Sequence, residues 1–424
     1  MTNRRDFIKK TTAISTVTIL SPSIAFASKA NSAIRMGIIG CGGRGTKVIS
    51  SMLQHTNTRI VAMADLFQDK LQHSKIKLDE KNIEQGFSKI EKANTYTGPE
   101  AYLRLLENKD VDAVLISSPA YTHPEFLEAA VAAGKHVYCE KPVAPDVDGC
   151  KRVEGVGNRI KGKLSIAVGF QIRHASPYVE MVQRIHRGDI GDIISGELHY
   201  FSSGVPIKDR DGISFDEARI RNQYHFRALS GGILLDQGIH MLDVCNWALQ
   251  SHPESAIGIG GKKGGPDFGD TWNNFQVLYQ YANDINVSLH STQIGPVFGD
   301  VCARFIGSKG MAEAHYSGGV FISGENQWDS GVLRNKTQEL TKEQRSAGVF
   351  RSSLHDADAN REIHFIRSIE TGNYLNETSS GVESTLSAIM GRNAASSGKL
   401  LAWDETYFSN SKLDPKLNLS QFNR

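Results

Sequence analysis

Six residues near the start of the chain, Gly40-Cys41-Gly42-Gly43-Arg44-Gly45, restrict the fold more than any other feature. They follow directly on the apolar run Ala33-Ile34-Arg35-Met36-Gly37-Ile38-Ile39, which reads as a buried strand. They lead into Lys47-Val48-Ile49 and Met52-Leu53, which read as a helix. A G-x-G-x-x-G turn in that setting has a physical logic. The first glycine takes a tight turn, the second lets backbone approach a pyrophosphate with no Cβ in the way, and the third lets helix pack close on strand. The helix then offers free N–H groups and the positive end of its dipole to the phosphates. In a chain with 40 glycines the motif needs context. A second apolar strand, 59–64, ends in Asp65, twenty residues past Gly45. A carboxylate there can accept hydrogen bonds from the adenosine 2′- and 3′-hydroxyls and repels a 2′-phosphate, so the pattern predicts a site for NAD rather than NADP.

The alternation continues downstream. Helical periodicity around Tyr102-Leu103 and Leu105-Leu106 precedes an apolar strand over 111–117 that ends in Ser118-Pro119. An amphipathic helix over 126–133 is stopped by Gly134, and the next strand covers 135–139. Repeated strand-helix-strand units imply a parallel sheet, whose ligands bind beyond the carboxyl ends of the strands. Ser117, Ser118, Pro119, His123, Glu140, Lys141 and Pro142 should therefore converge on the glycine turn. The polar stretch 75–94 reads as a solvated helix and loop.

With 424 residues, 40% hydrophobic and 22% charged, the chain has ordinary globular composition and length for about two to three domains. Its formal charge of +2 gives no field to recruit nucleic acid or anionic lipid. Cys41, Cys139, Cys150, Cys245 and Cys302 form no C-x-x-C pair, which argues against a disulfide framework or a thiolate zinc site. The opening Arg4-Arg5-Asp6-Phe7-Ile8-Lys9-Lys10, the weakly apolar run 11–24 and the Ala25-Phe26-Ala27 exit have the order of a cleavable export signal. The adjacent arginines resemble a twin-arginine signal, which moves folded proteins. The run is too short and too polar to cross ~30 Å of hydrocarbon. Residues 1–27 are thus expected to be removed, leaving a soluble, exported protein with no membrane insertion.

At this point the residues resemble a family. The glycine turn, Pro119 with His123, and Ala133-Gly134-Lys135-His136-Val137-Tyr138-Cys139-Glu140-Lys141-Pro142 are similar to the glucose-fructose oxidoreductase, inositol dehydrogenase and MocA family. Gly169-Phe170-Gln171-Ile172-Arg173, Gly188-Asp189-Ile190-Gly191 and 231–240, with Asp236 and His240, resemble its second-domain signatures. Ala120 departs from the Asn or Asp that the family often carries. The resemblance, over about 33–405, implies an α/β protein with an N-terminal Rossmann dinucleotide-binding domain. A C-terminal α+β domain with an open, mostly antiparallel sheet follows, used to cover substrate and to form a homo-oligomer. The domains are placed at 33–160 and 161–405, with late helices over 362–369 and 382–400 packing back on the first; 406–424 is a tail with no site signal.

Oxidising a sugar hydroxyl needs a base for the O–H proton and a hydride acceptor. Lys141, at a strand end, is a candidate at the mouth of the nicotinamide pocket, where desolvation or positive neighbours would lower its pKa. Asp236 and His240 are four apart; in a helix over 235–249 they share a face and can grip vicinal hydroxyls. The resemblance makes these two the substrate cluster with Lys141 and makes His240 a general acid/base, for which a pKa near ~6.5 is suited. Arg173 is the further substrate-binding candidate, ahead of Gln171, His174, Tyr200, Tyr224, His225 and Arg227. Asp243 shares the His240 face but lacks a third ligand at a diagnostic spacing, so no metal is expected.

The leading expectation is an exported NAD-dependent oxidoreductase acting on a sugar or glycoside. Free NAD is not recycled outside the cytoplasm, which implies a tightly bound, internally recycled cofactor. The alternative is a redox-assisted glycosidase that oxidises, eliminates, hydrates and reduces. A non-catalytic NAD-binding sensor is the third reading.

Overall fold

Strand pairing divides the molecule into two sheets. The computed structural model describes residues 32–160, 162–265, 267–294, 299–333 and 352–423; the segment 1–27, expected from its sequence to be an export signal, lies outside them. The first sheet has six strands, β1 (Ile34–Ile39), β2 (Thr58–Asp65), β3 (Thr95–Thr97), β4 (Ala113–Ile116), β5 (His136–Cys139) and β6 (Ile166–Val168). Their order is β3-β2-β1-β4-β5-β6, every pair parallel. Parallel neighbours need crossovers, supplied by α1 (Gly43–His55), α2 (Gln68–Glu84), α3 (Ala101–Glu107), α4 (His123–Ala132) and α5 (Val147–Ile160). All four residues of β4 are buried, as expected of a strand covered on both faces. The order reverses direction between β1 and β4, which opens a crevice at their carboxyl ends, where the glycine turn lies.

β6 pairs with β5 through Ile166, Ala167 and Val168, so the first sheet runs past the boundary expected at 160. An apolar strand gains more from an existing ladder than from starting a new domain. The chain then passes through α6 (Ser176–His186) into a nine-stranded sheet. Its strands are β7 (Ile193–Ser202), β8 (Ser255–Gly261), β9 (Asn274–Tyr281), β10 (Ile285–Gln293), β11 (Asp300–Gly307), β12 (Gly310–His315), β13 (Val320–Gly324), β14 (Trp328–Asp329) and β15 (Leu401–Ala402). The order is β14-β13-β12-β11-β7-β10-β9-β8-β15, antiparallel except for β7 with β10. β9 shows why one face is open: Phe275, Val277, Tyr279 and Tyr281 are buried, while Gln276, Leu278 and Gln280 face out.

Between β7 and β8 lie α7 (Phe215–Arg221), α8 (Arg227–Ser230) and α9 (Ile239–Leu249). Two later helices stitch the sheets together. α10 (Ala357–Thr371) sends Phe365 and Ile366 into the core formed by Met36, Val48, Met52 and Leu53. α11 (Thr378–Ser397) packs on β8, α5 and α9. A short α12 (Trp403–Tyr407) follows, and residues 409–423 then run along the surface, anchored where the Leu413 N–H donates to Asp146 at 2.6 Å. No described helix is long and apolar enough to cross a membrane.

Arg392 on α11 is a buried cation whose Nη1 donates to the carbonyls of Pro145 at 2.9 Å and Gly231 at 3.1 Å. It thereby fastens the turn after β5 to the segment before α9. Burial lowers its pKa to about 10. Replacing it by Met keeps apolar volume but strands both carbonyls, so Arg392→Met should lose about 2–4 kcal/mol of stability. The check is urea unfolding, with a lower midpoint at unchanged slope.

Candidate active site

The glycine turn has the stereochemistry that a dinucleotide needs. Gly40 has φ +96°, and a Cβ there would sit 2.6 Å from the Ser117 and Ser118 backbone. A Cβ on Gly45 would lie 2.3 Å from the Gly40 carbonyl oxygen, whereas Cβ atoms on Gly42 and Gly43 would meet nothing within 4 Å. Two glycines are thus required by packing, and the two between them border open space at the α1 N-terminus, a cradle that fits a pyrophosphate. Asp65, at the end of β2, accepts the Cys41 N–H at 2.6 Å and the Phe67 N–H at 2.8 Å, one on each oxygen. A carboxylate has about four acceptor sites, so two remain for ribose hydroxyls. Burial raises its pKa.

Beside this turn opens a cavity of about 220 Å³. Gly40, Gly42, Asp65, Phe67, Ser118 and Pro119 supply its Rossmann wall. The opposite wall comes from elsewhere: Lys208, Ile220, Arg221, Gln223 and Leu419. Sequence reasoning missed all five, because nothing local marks a loop or tail residue as lining a distant cavity. Lys141, Asp236 and His240 are not among the walls; Gln223 is, and the adjoining Tyr224 lies near Asp236, whose charge raises the tyrosine's pKa.

Lys141 and its partners form a second cluster. At the end of β5, Glu140 accepts from Arg44 Nε at 2.9 Å, which ties the glycine turn to this strand end, and Gly169 leaves room for the carboxylate. The next residue, Lys141, donates from Nζ to the backbone carbonyl of Asp236 and to Asp236 Oδ1 at 3.2 Å. Asp236 sits in a π-helical turn, Leu234–Gly238, in place of the regular helix expected from 235. The wider i→i+5 turn sends Asp236 toward Lys141, and no hydrogen bond joins it to His240. His240 is buried against Phe170, Tyr200 and Tyr316, with ring centroids 6.2–6.3 Å away. Its Nδ1 has no partner. Burial, then the charges of Lys141, Arg44 and Arg361, hold its pKa well below the ordinary value, so the imidazole is neutral, in contrast to the near-neutral pKa expected.

Other expected residues have different tasks. Arg173 is paired with Asp243, with Nε at 2.9 Å from Oδ2 and Nη2 at 2.9 Å from Oδ1, while its side chain stays 26% exposed. The reason is burial: a fully enclosed Asp243 carboxylate needs a counter-charge, and Ser384 completes its shell at 2.8 Å. His123 is positioned as a clamp, its two ring nitrogens meeting the carbonyls of Pro142 at 2.7 Å and Ser118 at 2.9 Å. Gln171 reaches Arg44 at 3.5 Å, and Tyr200 lies near Asp236. His174 instead meets His364, and His225 lines a separate small cavity. Arg227 takes the Asp270 carboxylate on its backbone N–H at 2.7 Å. Two groups with ligand-type side chains close together, His174/His364/Glu377 and Cys302/Glu313/His315, include none of Lys141, Asp236 and His240.

The depressed histidine has a thermodynamic consequence. Unfolded, His240 takes a proton below pH ~6.5, while the folded form does not, so its contribution is present above that pH and is lost as pH falls. Between pH 6.5 and 5.5 the loss is about 1 kcal/mol. Glu362, raised to about 7 by burial, acts oppositely in the same window. The histidine's share is therefore read as a difference: His240→Asn should flatten the fall of denaturant-measured stability over that window by about 1 kcal/mol relative to the unaltered protein.

With this geometry in place, similarity to known proteins is informative. A family model described as "Oxidoreductase family, NAD-binding Rossmann fold" matches residues 34–165, and one for the GFO/IDH/MocA C-terminal domain matches 178–313. Inositol 2-dehydrogenase 2 of Saccharopolyspora erythraea is 27% identical over 286 residues, 66% of this chain and 73% of that protein. The inositol 2-dehydrogenase of Acidothermus cellulolyticus is 26% identical over 286 residues, covering 65% and 71%. Two solved structures share the fold. One is aldose-aldose oxidoreductase from Caulobacter crescentus complexed with glycerol, with a TM-score of 0.66, 19% identity and coverage of 87% of this chain and 99% of that one. The other is scyllo-inositol dehydrogenase from Lactobacillus casei with NAD(H) and scyllo-inositol, at 0.63, 21%, 88% and 99%. The first match covers β1 to β5 of the parallel sheet and the second covers β7 to β11 and most of β12 of the other sheet, and the chain belongs to the GFO/IDH/MocA family of oxidoreductases with an NAD-binding Rossmann domain.

Proposed function

We propose that this protein is an exported, NAD-dependent oxidoreductase acting on a hydroxyl of a sugar or cyclic polyol, and that its cofactor stays bound and is recycled in place. The observation that carries the reading is the pairing of Lys141, from the carboxyl end of β5, with Asp236, near enough to His240 for its charge to act there and tied to the glycine turn through the Arg44–Glu140 pair. The names of the inositol dehydrogenase relatives support the polyol class. The dinucleotide, when bound, supplies the hydride acceptor. Gly42, Gly43 and the α1 N-terminus would hold its diphosphate and Asp65 its adenosine ribose. Lys141 orients the reacting hydroxyl and stabilises negative charge developing on its oxygen. Neutral His240 accepts the hydroxyl proton; with Nδ1 buried, this falls to Nε2. Asp236 holds the Lys141 ammonium and takes a hydrogen bond from a neighbouring hydroxyl.

Retention is supported by the export-type opening at 4–27, since a site beyond the cytoplasm has no supply of free NAD. A second sugar would then restore the cofactor. The open face of the nine-stranded sheet, with Ile257, Ile259 and Leu278 exposed, suits a homo-oligomer.

The test is absorbance near 340 nm of purified protein, its bound ligand identified by mass spectrometry after denaturation, against a panel of aldoses, inositols and nitrophenyl glycosides. The expected result is bound NAD and growth of the NADH band with a sugar or polyol. Lys141→Met and His240→Asn should each lower turnover about 10²–10⁴-fold while NAD remains bound. Full turnover in either variant would sink the assignment, and release of nitrophenol would favour oxidation-elimination glycoside cleavage instead.

A further inference from the structure

The Rossmann domain does not close the dinucleotide cavity alone. Leu419, which opens a short 3-10 turn (Leu419–Phe422) in the segment after α12, forms part of its wall. Three residues on, the Phe422 ring meets Phe67 edge to face at 5.6 Å, and the Phe422 carbonyl lies 3.5 Å from where a Cβ on Gly98 would be. Asp65, Phe67 and Gly98 belong to the ends of β2 and β3, the side of the cavity that faces the adenosine half of a dinucleotide.

The segment is held there by α7, on the far wall. Arg219 donates from Nη2 to the Pro415 carbonyl at 2.7 Å and from Nη1 to the Lys416 carbonyl at 3.2 Å. Asp216, one turn earlier and 3.3 Å from Arg219, accepts the Asn418 N–H at 2.9 Å. Lys416 adopts a left-handed φ of +47° where the chain turns toward the cavity. On its other side α7 grips the first domain: Arg221 pairs with both oxygens of Asp69 at 2.8 and 2.9 Å and lies 4.1 Å over the Phe67 ring. Phe67 is therefore contacted by both α7 and the segment. A ligand leaving past Asp65 and Phe67 must displace these contacts.

We propose that residues 413–422 are a cofactor-retaining strap, in which Leu419 walls the adenosine pocket and the contacts with α7 and Phe67 set the rate at which the dinucleotide leaves. This rests on the reading of the cavity as an NAD site, and it supplies the retention that recycling in place requires. No local signal in 406–424 marks this role, since the wall arises only when the segment is laid across two other parts of the chain.

The test compares release of NADH from the unaltered protein, a variant ending at Leu413, and the double variant Leu419→Ala/Phe422→Ala. The double variant removes side chains only and keeps the test sound if the shortened chain fails to fold. Protein loaded with NADH is mixed with excess NAD, and loss of bound-NADH fluorescence gives the off-rate, with circular dichroism checking that each variant is folded. Release about tenfold faster or more in the folded variants is expected, because the change acts on dissociation. Off-rates within twofold of the unaltered protein overturn the strap while leaving the NAD site standing. An unaltered protein that holds no NADH overturns the NAD reading itself, and the strap with it.

Discussion

The contact between Lys141 Nζ and Asp236 organises the site, because its two partners come from different sheets. Lys141 leaves the carboxyl end of β5, and Asp236 sits in a π-turn ahead of the helix that covers the inner face of the second sheet. Neither residue is useful alone: a lysine at a strand end is a surface cation, and an aspartate in a helical turn is a solvated anion. Pairing them at 3.2 Å with little exposure fixes the position of the ammonium, while its charge is balanced by the carboxylate. The Arg44 to Glu140 pair works alongside, since Glu140 directly precedes Lys141 and Arg44 belongs to the glycine turn. Cofactor loop and polar cluster are thus tied through one dipeptide, Glu140-Lys141.

Burial decides which charges act and which only hold. Asp243 is fully enclosed and bound by Arg173 and Ser384, so its charge is consumed within the fold. Arg361 is nearly inaccessible and stacks over Tyr138 at 5.1 Å, with its Nε and Nη1 unpartnered. Its Nη2 pairs with Asp358 at 3.1 Å and Glu362 at 3.3 Å, so it acts on more distant groups through its field. With Lys141 and Arg44 it keeps His240 neutral.

What could be read in the sequence was what local physics dictates. The glycine turn and the strand-helix alternation follow from spacing alone, and the structure has them where those patterns put them. Lys141, Asp236 and His240 were legible as a set only through resemblance, since no spacing rule brings residue 141 to residue 236. The Arg173 ion pair was hidden for the same reason: its partner Asp243 is seventy residues away, and an arginine after a strand looks equally ready for substrate or for an ion pair. The π-turn was invisible because nothing in the residues of Leu234–Gly238 distinguishes an i→i+5 turn from an i→i+4 one. β6 was assigned to the wrong side of the domain boundary because an apolar tripeptide does not say which sheet it joins.

The electrostatics of the cluster also constrain how the proposed chemistry can run. A neutral imidazole among cations is available at all moderately acidic pH values, but it is a weak base, because protonating it adds a charge to a site that already holds Lys141, Arg44 and Arg361. Proton transfer from a hydroxyl therefore becomes favourable only as the oxygen gains negative charge against the Lys141 ammonium. Those same cations that disfavour the imidazolium favour the alkoxide, so loss of the proton and stabilisation of the oxygen are coupled in one small volume. Such coupling works only where water cannot screen it, and the aromatic packing of Phe170, Tyr200 and Tyr316 around His240 provides that exclusion. The aromatic wall is thus an electrostatic element of the site as much as a packing one.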